Sequence, residues 1–307
     1  MRLRVSLPAQ TLEAHDDDGR LISRYSISTA RNGAGERSGS YCTPRGRHII
    51  RAKVGAGETA NTVFIRRRPT GEVWTPELAA QFPNRDWILS RILWLSGKQP
   101  GFNRLGEVDT MRRYVYLHGS PDSVEMGKPG SIGCVRMRNS DIIELFDRVP
   151  VYTRVDLVEF RVVLADWHQQ QQWARPVREA VFMAEQGVPV ELEWDEFDAI
   201  SRHAVAFDAD GSPIGTGRIW QEGEIGHIGR MAVLREWRSQ GVGRALLESL
   251  LEVAHNAGLR EVHLSAQTQA IGFYTQFGFI AEGPEYLDAG IPHRRMVNRV
   301  NVVRRIE

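Results

Sequence analysis

Near residue 158 the rhythm of the sequence changes, and that change restricts the chain to two differently built domains. Before it, short strand-like runs at 3–7, 21–27, 48–53, 62–65, 113–117 and 154–158 alternate with Gly, Pro, Ser and Asp punctuation. One short helix is predicted after Asn139 and Ser140, where Ile142, Ile143, Leu145, Phe146 and Val149 recur at helical spacing. After it, strands and helices take turns. A strand at 160–164 leads into a helical stretch over 167–186, and strands follow near 204–208, 214–220 and 225–233. The clearest helix spans 241–257, with Val242, Leu246, Leu247, Leu250, Leu251 and Ala254 on one face and Gly258 as its stop. A strand at 261–266 and a short helix at 270–276 complete the pattern. It predicts a mostly β domain over 1–158 and an α/β domain over 159–307.

Composition narrows the function. The 39 basic and 38 acidic side chains leave a formal charge of +1, which argues against a nucleic-acid or anionic-membrane binder. No apolar run approaches the roughly 20 residues that span a bilayer. The opening residues lack the apolar core of a signal peptide, so a cytoplasmic protein without a membrane span is expected. Two cysteines, Cys42 and Cys134, make neither a disulfide framework nor a CxxC pair, and no metal site is expected.

The first half carries a cysteine and a histidine in a suggestive setting. Tyr116, Leu117, His118, Gly119 and Ser120 are followed by Gly130, Ser131, Ile132, Gly133, Cys134, Val135, Arg136 and Met137. A thiol becomes a useful nucleophile beside an imidazole, and glycines at 130 and 133 let the N–H groups of Gly133 and Cys134 aim at one spot, as an oxyanion hole requires. Without further context, Cys134 reads equally as a small buried hydrophobe and His118 as a structural turn residue. The string resembles the YkuD-type L,D-transpeptidase family, in which His-Gly precedes Ser-x-Gly-Cys-[Val/Ile]-Arg-Met. The run Thr43, Pro44, Arg45, Gly46, Arg47, His48 looks like the same family's Thr-Pro-x-Gly-x-His element.

The resemblance covers about residues 1–158 and implies a β-sandwich with short helices. It implies that Cys134 attacks the carbonyl of a meso-diaminopimelate residue linked to D-Ala and passes the acyl group to an amine or to water. His118 is then general base and later acid, Gly119 or Ser120 orients its ring, and Gly133 with Cys134 stabilises the oxyanion. Ser131, Arg136 and Tyr116 would contact substrate, Arg136 either through a carboxylate or only as a hydrogen-bond hub beneath the loop. Ile132 departs from the pattern, since many members have His there. Cys42 is expected to be a packing residue.

In the second half, Arg238, Ser239, Gln240, Gly241, Val242, Gly243, Arg244 and Ala245 lie between a strand and the best helix. Two glycines admit phosphate oxygens to the backbone, and the free N–H groups of a first helical turn favour their charge. A simple tight turn would look alike. A Rossmann fingerprint would need Gly or Ala where Leu246 stands, and a P-loop would need Gly-Lys. With Met231, Ala232 and Val233 before the loop and 270–279 after it, the segment resembles the GNAT acetyltransferase family, and the strings at 184–189, 265–267 and 289–293 look like its ElaA/YjcF branch.

This resemblance covers about residues 159–307. It implies a mixed central sheet flanked by helices, with acetyl-CoA running along Met231, Ala232 and Val233 and its pyrophosphate on the 238–245 loop. Tyr274, otherwise a core aromatic, would protonate the departing CoA thiolate. Glu185, Glu224 and His227 are candidate bases for an amine acceptor that the sequence does not name. The whole-chain expectation is a bifunctional acyltransferase acting on peptidoglycan-derived peptides or muropeptides and on an amine. The alternative is a catalytic GNAT domain beside a peptide-binding module.

Overall fold

A computed structural model describes residues 1–299. The chain forms two compact units, the first made of residues 1–17 and 21–159, the second of residues 18–20 and the described residues from Phe160 onward.

The first unit contains β1 (Arg2–Ser6), β2 (Thr11–His15), β3 (Leu21–Ser26), β4 (Gly46–Val54), β5 (Thr62–Ile65), β6 (Arg68–Val73), α1 (Pro76–Gln81), β7 (Ile88–Gly97), β8 (Tyr116–Gly119), β9 (Val135–Met137), α2 (Asn139–Arg148) and β10 (Arg154–Val158). Its strands form one ladder in the order β3-β2-β1-β10-β4-β7-β5-β6, with β8 leaving β7 and β9 continuing from β8. Leu3 and Val5 of β1, Leu12 and Ala14 of β2, Leu93 and Leu95 of β7, Val135 and Met137 of β9, and Ile142, Leu145 and Phe146 of α2 share one core. The sheet therefore folds over itself on the apolar stripe of α2, as a mostly β sandwich with short helices. Burying each such side chain contributes about 1.5–3 kcal/mol. The strand predicted at 113–117 begins later, at Tyr116, because the Tyr114 N–H turns back to the Met111 carbonyl.

The second unit contains β11 (Arg161–Asp166), α3 (Trp167–Arg178), α4 (Val190–Glu193), α5 (Phe197–Ile200), β12 (Arg202–Phe207), β13 (Pro213–Glu222), β14 (Ile225–Val233), α6 (Val242–Asn256), β15 (Glu261–Gln267), α7 (Ile271–Thr275), β16 (Ile280–Asp288) and β17 (Ile291–Arg299). The sheet order is β11-β12-β13-β14-β15-β17-β16, antiparallel except for the parallel pair β14·β15. Helix α6 lays Leu246, Leu247, Leu250 and Ala254, all fully buried, against β12, β13 and β14. This is a mixed sheet flanked by helices, in the α/β class that the strand–helix alternation predicts.

The helix predicted over 167–186 is α3 followed by a π-helical stretch, Glu179–Glu185. Pro176, which has no N–H to donate, sits just before the wider turn begins. Two departures shape the centre of this unit. The β14·β15 pairing runs only from Ile225↔Glu261 to Ile228↔Leu264, although both strands continue beyond it. Arg230, at φ +54°, lies opposite a register shift in β13. The sheet opens there.

Candidate active sites

In the first unit, parallel pairing of β8 with β9 (Leu117↔Val135, His118↔Arg136) sets Cys134 beside Tyr116 and on the same side as His118. The backbone rather than sequence proximity brings these groups together. The Cys134 sulfur accepts from the Tyr116 N–H at 3.4 Å and its S–H points to the Tyr114 carbonyl at 3.6 Å. Burial, opposed by that hydrogen bond, pushes the thiol up to about 12. At neutral pH it is held as S–H. Alkylation of Cys134 by iodoacetamide, followed by peptide mass mapping, should rise about tenfold per pH unit between about pH 7 and 10 without a plateau. A plateau near the ordinary thiol value of about 8.5 would contradict this environment.

His118 is fully buried. Its Nδ1 lies 2.8 Å from the Gly119 carbonyl, and because a carbonyl only accepts, Nδ1 carries the hydrogen. Nε2 is then the lone-pair nitrogen, and it is buried with no partner among the described residues. Burial also holds the imidazole below its usual value, in the neutral form a base requires. Gly119 thus orients the ring. Ser120 faces elsewhere, its hydroxyl donating to the Met137 carbonyl at 2.9 Å.

The cysteine loop is braced from two sides. Thr43 donates its hydroxyl to the Gly133 carbonyl at 3.0 Å, and Ser131 donates to the Cys134 carbonyl at 2.5 Å. Gly133 adopts φ +135°, a conformation closed to residues with a side chain. Its N–H is taken by the Ser131 hydroxyl at 3.2 Å, while no described residue accepts from the Cys134 N–H. Arg136 pairs with Asp86 at 2.6 Å and donates to the Gly130 carbonyl at 3.2 Å, so it already holds the loop.

His48 is a buried structural residue between the Gly46 carbonyl and the Thr110 hydroxyl. Cys42 points its sulfur at the Asn32 and Ser40 carbonyls. Sequence reasoning missed Asp86 and Arg113. Both act electrostatically on Cys134, Asp86 raising its pKa and Arg113 lowering it, and neither sits in a recognisable string. Arg113 donates to the carbonyls of Gly35, Glu36 and Cys42.

In the second unit the opened sheet becomes a cleft of about 220 Å³, lined among others by Gly229, Met231, Leu264, Ser265, Tyr274 and His293. Beyond Ile228 the backbone of β14 has no partner strand on this side among the described residues, so its main-chain groups, apart from the Val233 carbonyl that Arg238 takes, can meet a ligand that carries amides. Gly241, at φ +92°, is the N-cap of α6 and offers no capping side chain, and Ala245 makes the first helical hydrogen bond back to it. The N–H groups of Val242, Gly243 and Arg244 at this helix start therefore have no intrahelical acceptor. This backbone fits a ligand that pairs a polyamide arm with a pyrophosphate, as coenzyme A does.

Around the loop, Arg238 is fixed by both oxygens of Glu185 (2.8 and 2.7 Å) and by the Val233 carbonyl. Ser239 takes φ +63°. Gln240 donates to the Glu236 carbonyl, and Arg244 stacks on Phe277 at 4.7 Å. Ala232 is buried against Val177 and Val181.

Tyr274 lies in the cleft wall, and burial alone pushes its phenol up to about 12. The candidate bases lie elsewhere. Glu185 is bound by Arg238, which holds its carboxyl below the usual range, Glu224 pairs with Arg260 at 3.1 Å, and His227 stacks on Trp220 at 4.1 Å. None of the three lines the cleft. His293 does, and its Nδ1 donates to the Ile291 carbonyl at 2.8 Å, which leaves Nε2 as the acceptor nitrogen. Its only sequence signal was its place in the 289–293 string.

Two acyl-transfer folds are therefore joined in one chain, and family comparison names both. The chain belongs to the L,D-transpeptidase catalytic-domain (YkuD) family over residues 1–157 and to the GNAT acetyltransferase family over residues 164–300. Bacillus subtilis YjcF, an uncharacterized N-acetyltransferase, is 40% identical over 138 residues, covering 45% of this chain and 98% of the relative. The uncharacterized protein YyaT of the same organism is 33% identical, covering 45% of this chain and 91% of its own. Among solved structures, Escherichia coli ElaA is 27% identical, covering 46% of this chain and 99% of ElaA, with a TM-score of 0.42. These three similarities concern the second unit. No helix among the described residues is long and apolar enough to cross a membrane.

Proposed function

We propose that the chain is a bifunctional acyltransferase. In this reading the first unit cleaves the diaminopimelate–D-Ala bond of a peptidoglycan-type peptide through Cys134, and the second transfers acetyl from acetyl-CoA to an amine. The observation that carries the first activity is the buried His118 ring, on the strand paired with the one that Cys134 leads into, with Nδ1–H committed to Gly119 and Nε2 without a partner among the described residues.

His118 takes the Cys134 proton as the sulfur attacks the diaminopimelate carbonyl carbon. The Cys134 N–H faces the oxyanion that forms. When the C–N bond breaks, the D-Ala nitrogen leaves with the proton from His118. The same imidazole then deprotonates the incoming amine or water, which displaces Cys134 from the thioester and restores the thiol.

For the second activity, bound acetyl-CoA supplies an activated thioester. Val242, Gly243 and Arg244 hold its pyrophosphate through their N–H groups, and Met231, Ala232 and Val233 hold its amide arm. His293 Nε2 removes the proton of the acceptor amine. Tyr274, kept protonated by burial, gives its proton to the departing sulfur.

Full-length protein incubated with a diaminopimelate tetrapeptide should release D-Ala, detected by mass spectrometry, and Cys134→Ala should abolish the release. In parallel, thiol release from acetyl-CoA with a panel of primary amines should fall about a hundredfold in Tyr274→Phe and in His293→Gln. Undiminished D-Ala release by Cys134→Ala would sink the first mechanism. Peptide binding without turnover by the unmodified protein would instead favour the binding-module reading.

A further inference from the structure

Two guanidinium groups act electrostatically on the Cys134 thiol, and both are already engaged. Arg136 is paired with Asp86, and Arg113 donates to backbone carbonyls around Cys42. A third guanidinium, that of Arg67, reaches the tyrosines next to the sulfur and makes no ion pair among the described residues. Its guanidinium lies over the Trp94 ring at 4.4 Å and the Tyr114 ring at 4.8 Å, and it donates to the Tyr116 hydroxyl at 3.0 Å. Tyr114 and Tyr116, whose side chains seat this guanidinium, are the residues whose backbones seat the sulfur, through the Tyr114 carbonyl and the Tyr116 N–H. A cation without an ion-pair partner among the described residues is thereby fixed on the side chains of the two tyrosines whose backbones hold the nucleophile.

The chain reaches this position at a conformational cost. Arg66 and Arg67 form the two-residue turn of the β5–β6 hairpin, at φ +48° and +67°. Glycine and asparagine suit such a turn, and a branched or long side chain is strained there. Strained residues of this kind concentrate at ligand sites. The partly buried guanidinium is also preorganised by its two rings, and its remaining donors form a planar fork of the shape that a carboxylate accepts.

We infer that Arg67 is the carboxylate-binding residue of the Cys134 site and selects acyl donors that carry a free carboxylate near the reacting carbonyl. The inference rests on the cysteine acyl-transfer reading for its substrate, but the cation itself can be probed without that substrate. A diaminopimelate tetrapeptide offers two such carboxylates, one on the diaminopimelate side chain and one at the C-terminus.

The test compares alkylation of Cys134 by anionic iodoacetate and neutral iodoacetamide at one pH, with Cys42 as internal reference and peptide mass mapping as readout. The iodoacetate-to-iodoacetamide rate ratio at Cys134 should fall about fivefold in Arg67→Gln and largely recover in Arg67→Lys, while the iodoacetamide rate stays within about twofold. An unchanged ratio in Arg67→Gln overturns the inference. With peptide, Arg67→Gln should raise KM about tenfold and leave kcat nearly unchanged. Amidating the carboxylate that Arg67 holds should abolish this difference, so side-chain and C-terminal amides identify which one it is. If the unmodified protein turns over no peptide yet shows the alkylation ratio, the acyl-transfer reading fails and the carboxylate site stands.

Discussion

His118→Gln is expected to slow D-Ala release about a thousandfold without unfolding the first unit. The reason lies in what the imidazole does for the fold, which is little. One nitrogen satisfies the Gly119 carbonyl, and the other is buried with no partner, a situation that costs about 1–3 kcal/mol in a protein interior. A glutamine amide can donate to the same carbonyl but has no basic nitrogen to receive the Cys134 proton. Turnover and stability should therefore separate, with kcat collapsing while the urea midpoint holds or rises. The pH dependence has a definite sign. Because burial depresses the imidazole, the base form persists through mildly acid pH, and turnover is lost only as pH falls through that lowered value. Near-normal release by His118→Gln would remove this residue from the mechanism.

The second large effect concerns Arg178. It is completely buried and donates to the Glu193 carboxylate, to the Glu193 carbonyl at 2.7 Å and to Asp198 at 2.7 Å. Arg218 bridges Asp195 and Asp198, and Arg230 reaches Asp195 and the Glu193 carbonyl. Replacing Arg178 by methionine fills the volume but leaves Glu193 and Asp198 short of their counter-charge. Breaking a buried pair from one side costs about 3–5 kcal/mol, read as a lower urea midpoint for the second unit. Adding Glu193→Gln and Asp198→Asn should recover most of that loss, because what destabilises is the orphaned charge rather than the missing bond. Loss under about 1 kcal/mol in the single variant would show the network to be solvated. Arg230 belongs both to this network and to the irregular stretch where the sheet opens, so coenzyme A affinity should weaken in parallel.

Most alternating and amphipathic segments were legible in the sequence, although β2, whose buried Leu12 and Ala14 alternate with Thr11 and Glu13, was not, and segments buried on both faces were not either. Strand β7, ten residues from Ile88 to Gly97, was missed because five consecutive positions, Leu89 to Leu93, are buried and Ser90 sits at φ +64°, so no alternation survives there. Strand β16 was missed for the opposite reason: it is an edge strand with mostly exposed side chains and a register shift between Glu282 and Tyr286. Helix α6 was clear because a single face carries its leucines.

Of the sites, Cys134, His118, the 238–245 loop and Tyr274 stood out through local strings. The groups that adjust them did not. Asp86 and Arg113 act on the thiol, and Arg67 reaches the tyrosines beside it, only through the fold, and an arginine's sequence neighbours do not reveal whether its charge is already matched. Arg136 illustrates this, since its partner Asp86 lies 50 positions away.

The thiol held as S–H also bears on survival between turnovers. Oxidants such as peroxide attack the thiolate, and a group with a pKa of about 12 presents roughly one molecule in 10⁵ in that form at pH 7. With that pKa, Cys134 is expected to oxidise to sulfenic and sulfinic acids more slowly than an ionised cysteine. In the proposed mechanism it would become nucleophilic only when His118 takes its proton, and so would spend little of its life in a form that can be damaged.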